Sequence, residues 1–119
     1  MASGIDMNCV MNKIRIASAF SEVPLGRYPS DGEFSGERFR EEFLKPALEE
    51  GGVIVQIDGT EGYGSSFLEE AFGGLVRKGY YTPVQLHERL EIETADPGFE
   101  VYSSLIWKYI DDAGPLAAR

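Results

Sequence analysis

Apolar and polar residues alternate at the start of Ile14-Arg15-Ile16-Ala17-Ser18-Ala19-Phe20, which predicts a first strand. From Glu22 to Phe34 the pattern dissolves into a loop rich in Pro, Gly and Asp, long enough to cover something or to contact a partner. Ser35 then caps a predicted helix whose apolar stripe is Phe39, Phe43, Leu44, Ala47 and Leu48. Pro46 should kink the helix or restart it, and Gly51-Gly52 should end it. Val53 to Asp58 is β-branched and almost continuously apolar, the pattern of a central strand. A glycine-rich turn, Gly59 to Gly64, leads to a second amphipathic helix with Leu68, Ala71, Phe72, Leu75 and Val76 on one face. Ser66 and Glu69 have the spacing of a capping box at its start. Its interior glycines, Gly73 and Gly74, cost about 1 kcal/mol each against alanine unless close packing needs them. Thr82-Pro83 predicts a short helical turn to about His87, and Leu90 to Thr94 a further strand. Asp96-Pro97 opens a last helix, with Gly114-Pro115 as its stop.

The order is strand, loop, helix, strand, helix, short turn, strand, helix. That order predicts an α/β fold: a single-layer mixed β-sheet with helices packed on it. The 119 residues suffice for one domain. Residues 1–12 read as a flexible leader, 13–113 as the domain, and 114–119 as a short C-terminal tail.

Charge narrows the function. Eleven Lys and Arg against twenty Asp and Glu give a net charge of −9, spread over both halves of the chain. An acidic chain without a basic run is a poor binder of phosphate backbones, so no direct nucleic-acid contact is expected. No apolar run approaches the roughly 18 residues of a membrane span, and no signal peptide is evident, so the expected location is cytoplasmic. A single cysteine, Cys9, cannot make an internal disulfide or a cysteine zinc site. No cofactor and no metal are expected.

The chemistry concentrates between Val53 and Val76. Ser65 and Ser66 stand where the chain enters the second helix, beside free backbone N–H groups and the positive end of the dipole. They can serve as caps, or one can carry a phosphate, which that position favours electrostatically. Ile57 to Val76, with its run Ser-Ser-Phe-Leu-x-Glu-x-Phe-Gly, resembles the STAS-like family of unknown function. These are small bacterial domains related to the sulfate-transporter and anti-sigma-factor-antagonist (STAS) domain. The resemblance extends through Gly26-Arg27-Tyr28, Ser35 to Arg40 and the last helix, roughly residues 13–113.

The resemblance implies a STAS-like fold and a non-enzymatic, regulatory, protein-binding role. In better-understood STAS relatives a strand leads through a turn to Asp-Ser-Ser-Gly and a helix, and a partner kinase phosphorylates the first serine. By position Ser65 matches that serine and Ser66 the second. Gly64 stands in place of the Asp and Phe67 in place of the Gly. The implied partner is a protein, such as a sensor-type kinase or ATPase, met by Ser65, Ser66, Gly64, Phe67, Tyr63 and Asp58. Arg27 with Arg38 or Arg40 could converge on the glycine-rich turn and receive a phosphate or an acidic partner, or could simply pair with nearby glutamates.

Other readings rest on less. Ser65 and His87, the single histidine, could form a hydrolase site if folding brings them together. Asp58, Glu61, Glu69 and Glu70 could bind a hard cation, but capping and solvation account for them. Tyr80-Tyr81 could be a contact patch, although core packing is the simpler role. The net charge alone would suit an acidic decoy for a nucleic-acid-binding protein. The sequence leaves the oligomeric state open.

Overall fold

The structure, a computed structural model, describes residues 11–117. Its elements are β1 (Met11–Arg15), a one-turn helix α1 (Ile16–Ala19), α2 (36–50), β2 (Gly52–Gln56), α3 (65–77), α4 (Pro83–Arg89), β3 (Leu90–Glu93) and α5 (Glu100–Ala117). Short 3-10 turns at Pro29–Asp31 and Pro97–Phe99 precede α2 and α5.

The three strands lie in the order β1-β2-β3, and both pairings are parallel. The α/β class holds, with helices packed on one sheet. The strand direction differs from the mixed sheet expected, because a helical crossover separates each strand from the next and returns the chain to the same end of the sheet. In this sequential order, two right-handed crossovers place their helices on the same face of the sheet. Val53 and Val55 of β2 are fully buried beneath those helices. They share one core with Phe39, Leu44, Phe72 and Leu75. On the other face Lys13 of β1 reaches over β2 to Glu93 of β3, at 2.9 Å.

Several boundaries move. The first strand is Met11–Arg15, not 14–20, so Met11 and Asn12 of the expected leader are strand residues paired with Gly52 and Val53. Ile16 and Ala17 are both buried, which an alternating strand with one covered face would not allow, and the chain turns there. The Ile16 carbonyl accepts from the N–H groups of Phe20 and Ser21, at 2.9 and 2.8 Å. Residues 1–10, Cys9 among them, and 118–119 lie outside the described residues. The last helix passes Gly114-Pro115 and continues to Ala117, so much of the expected tail is helical. One donor missing so near a helix end removes little. Among the described residues no helix is long and apolar enough to cross a membrane.

Helices α2 and α3 each contain a π turn, over Arg40–Leu44 and Glu69–Gly73. In α2 this wider turn ends at Leu44, and regular α-helix restarts at Lys45 with Pro46 in its first turn, the restart being one of the two expectations there. A proline ring crowds the carbonyl four residues back, here that of Glu42, and the widened turn accommodates it.

Candidate functional site

The glycine-rich turn is built by conformation and by one buried phenol. Gly59 and Gly62 have φ of +91° and +118°, values that side chains other than glycine rarely adopt. Tyr63 turns into the core and donates its hydroxyl proton to the Ile57 carbonyl at 2.8 Å. Burial pushes its phenol pKa up, so it remains a donor. Its ring meets Phe67, Phe99 and Tyr102 at centroid separations of 5.9, 6.2 and 5.2 Å.

Asp58, half-buried, acts as a strap. Its carboxylate accepts from Gln56 Nε2 and the Ala95 N–H, each at 2.7 Å, and from the Thr94 hydroxyl. The end of β2 is thereby tied to the loop between β3 and α5. Burial raises the Asp58 carboxyl pKa, but those hydrogen bonds outweigh it and hold the group below its ordinary range.

At the entrance to α3, Gly64 is the N-cap residue and no side chain caps the helix. Ser65 and Ser66 are the first two helical residues and both are exposed. The expected caps and the Ser66–Glu69 capping box are therefore not formed. Glu69 turns instead to Arg27, at 2.5 Å, and to Arg77. Phe67 is fully buried and points away from the serines, into an aromatic cluster with Phe20 and Phe39. Its bulk at the helix start leaves the serine face open. Gly64 has open space around its α-carbon.

The three arginines do not converge on this turn. Arg40 is fully buried and cannot meet a partner. Its Nε donates to Glu41 at 2.9 Å, and its Nη1 donates to both the carboxylate and the backbone carbonyl of Glu70 at 2.7 Å. Arg38 pairs with Glu42 at 3.1 Å and Glu33 at 3.6 Å. Arg27 binds Glu69 and Glu70. The cation at the turn is Arg15, exposed, its guanidinium occupying the place a side chain on Gly59 would take. Sequence reasoning placed Arg15 in mid-strand. Its signal would have been the position at the carboxyl end of a strand, where open α/β sheets present ligand-binding groups.

Glu70 was read from sequence as solvated, yet it is buried and gathers Arg27, Arg40 and Arg77. The signal lay in its spacing, three residues beyond Phe67 on the helix face that packs inward. The carboxylates weighed as a cation site are dispersed: among the described residues no three His, Cys, Asp or Glu cluster in metal-binding fashion. His87 bonds Asp111 at 2.9 Å and stacks on Trp107 at 4.3 Å, with no hydrogen bond to Ser65 among the described residues. Tyr80 donates to Glu41 at 2.9 Å and holds Lys45 over its ring, while Tyr81 faces Arg89.

A family model described as "STAS-like domain of unknown function (DUF4325)" matches residues 35–98. The match spans α2, β2, the glycine-rich turn, α3, α4 and β3. No curated protein and no solved structure matches the chain significantly.

Proposed function

We propose, from the premise that this chain belongs to the STAS-like family of unknown function, that it is a regulatory protein-binding domain switched by phosphorylation of Ser65. The observation that carries this reading is the exposure of Ser65 at the uncapped N-terminus of α3. A kinase can reach the hydroxyl there, and the helix N–H groups left without a side-chain cap favour the phosphate once it is attached. Phosphorylation adds about −1.5 to −2 charge at pH 7. On a chain already at −9, that charge changes how the turn and the first turns of α3 present themselves to a protein partner. The partner of this reading is a kinase or ATPase that binds the unmodified form and releases the modified one.

The test is affinity capture with the wild type, Ser65→Ala and Ser65→Asp as baits. A partner retained by the wild type and by Ser65→Ala, and lost by Ser65→Asp, is the expected result. Equal recovery by all three overturns the switch.

A further inference from the structure

Val23, Leu25 and Tyr28, exposed at 49%, 59% and 47%, are three of the five exposed large apolar residues found among the described residues. They fall within six residues of one another. Single exposed apolar residues need no explanation, but a cluster does.

The segment that carries them is held in place. The Leu25 N–H donates to the Phe34 carbonyl at 3.0 Å, the Gly36 N–H to that of Gly26 at 2.9 Å, and the Glu37 N–H to that of Arg27 at 3.0 Å. The Asp31 carboxylate accepts from the backbone N–H groups of Arg27 and Tyr28, at 3.1 and 3.0 Å. The Arg27 side chain fastens the segment to Glu69 and Glu70 of α3. The Glu61 N–H donates to the Glu22 carbonyl at 2.8 Å, which joins the segment to the glycine-rich turn. Pro24 is buried between Val23 and Leu25, so the chain directs these two outward while anchoring through the residue between them. The fold thus holds apolar side chains in water on an ordered platform, and an ordered platform loses little entropy on binding.

The charge of the surroundings selects the partner. Glu22, Asp31, Glu33 and Glu61 are exposed around this stretch. The two arginines of the same region, Arg27 and Arg38, are committed to glutamates of this chain. Arg15, at Gly59, is the nearby cation without an ion pair among the described residues. A second copy of the chain would bring a further −9 and is the less favoured occupant.

We infer that residues 22–28 and the glycine-rich turn form one docking face for a protein segment that combines apolar side chains with Lys or Arg. The inference rests on the protein-binding reading above but not on the serine switch. Its test is selection from a random peptide library on the immobilised full chain, followed by titration of the selected peptides. Sequences enriched in both basic and apolar residues are expected. Their affinity should fall about tenfold or more on the Val23→Ser/Leu25→Ser variant and on Glu22→Lys/Glu61→Lys, as loss of central contacts does. All four positions are exposed, and an unchanged thermal midpoint verifies the fold; Tyr28→Ser serves in place of any variant that fails this check. Selection of acidic or charge-neutral peptides, or equal binding to wild type and both double variants, overturns the inference. Retained binding to Ser65→Ala and Ser65→Asp, with loss on the loop variants, upholds the docking face while the switch fails. Loss on Ser65→Asp alone, with binding kept by Ser65→Ala and by the loop variants, upholds the switch and overturns the docking face.

Discussion

Arg40 and Glu70 meet at 2.7 Å, each inside the π turn of its own helix. Arg40 is the largest fully buried side chain among the described residues. Its Nη1 reaches both the carboxylate and the backbone carbonyl of Glu70, so the contact fixes the position of α3 against α2 as well as neutralising charge. The pairing is uneven. Glu70 also holds Arg27 and Arg77, whereas Arg40 has Glu41 as its other acidic partner and a buried Nη2 with no partner among the described residues.

That asymmetry predicts unequal costs. Glu70→Ala leaves the guanidinium buried with one carboxylate, and removing one member of a buried pair typically costs about 3–5 kcal/mol. Arg40→Met leaves Glu70 with two arginines and replaces a buried ion by a flexible apolar chain, so it should cost distinctly less. Urea unfolding of both variants and of the double variant measures this. Equal costs would show that the pair behaves as an isolated salt bridge.

The two helix-packing glycines separate by what a methyl group would meet. At Gly74 a Cβ would collide with Nη1 of Arg40, which its hydrogen bonds hold in place. At Gly36 it would lie 2.5 Å from the Phe67 carbonyl oxygen, a backbone atom. Either substitution by alanine should destabilise by about 1–3 kcal/mol, the usual cost of overpacking. Combining with Arg40→Met should relieve Gly74→Ala and leave Gly36→Ala unchanged. A double-mutant cycle that gives no coupling for Gly74 with Arg40 rejects this account.

These contacts show where sequence reasoning carries and where it stops. The period of Leu68, Ala71, Phe72, Leu75 and Val76 and the β-branched run at Val53 are local patterns, and the helix and strand they announce are present. The Thr82–Gln85 capping box was half legible, since Thr82-Pro83 marked a helix start; both of its hydrogen bonds form, at 2.9 and 3.1 Å. Ser66 and Glu69 offered the same spacing and did not form a box, because Arg27, 42 residues away in sequence, competes for Glu69. Gly73-Gly74 read as a cost in search of a reason, and Gly74's reason is a side chain on another helix. The place of Ser65 and Ser66 at the start of α3 was legible because they follow the strand and turn directly. Arg38 pairs locally with Glu42 and Glu33, the plainer of the two expectations, whereas Arg27 and Arg40 reach Glu69 and Glu70 on α3, which no local window contains.

Acid sensitivity follows from the same carboxylates. Burial raises the Glu70 carboxyl pKa, but hydrogen bonds from Arg40 and Arg27 and the charges of Arg77 and Arg40 hold it below its ordinary 4.5. A carboxyl depressed on folding contributes stability that is fully present above its unfolded pKa and is lost as pH falls through the folded value. Stability should therefore hold between pH 7 and 5 as far as Glu70 is concerned, and decline below about pH 4.5. Glu70→Gln should lower stability at neutral pH and flatten its decline in acid. Unfolding free energies measured from pH 7 to pH 3 check both. Parallel wild-type and variant curves below pH 4.5 would assign the acid loss to other groups, with Asp58 the next to replace.

The last prediction concerns the turn that presents Ser65. Tyr63→Phe keeps the ring that packs on Phe67 and Tyr102 and deletes the hydroxyl that donates to the Ile57 carbonyl. Ile57 is fully buried, so its carbonyl loses a partner where solvent cannot readily replace it. Leaving such a group unpaired costs about 1–3 kcal/mol. The loss should be local, because β2 keeps its ladder to both neighbouring strands and the Ile57 N–H keeps its bond to the Glu93 carbonyl. Hydrogen exchange should quicken across residues 59–66 and change little in β2. Since Gly59 and Gly62 already allow the turn its unusual backbone, the phenol is the group that selects one conformation from those the glycines permit. Exchange that quickens equally in β2 would mean that Tyr63 supports the whole core rather than the turn.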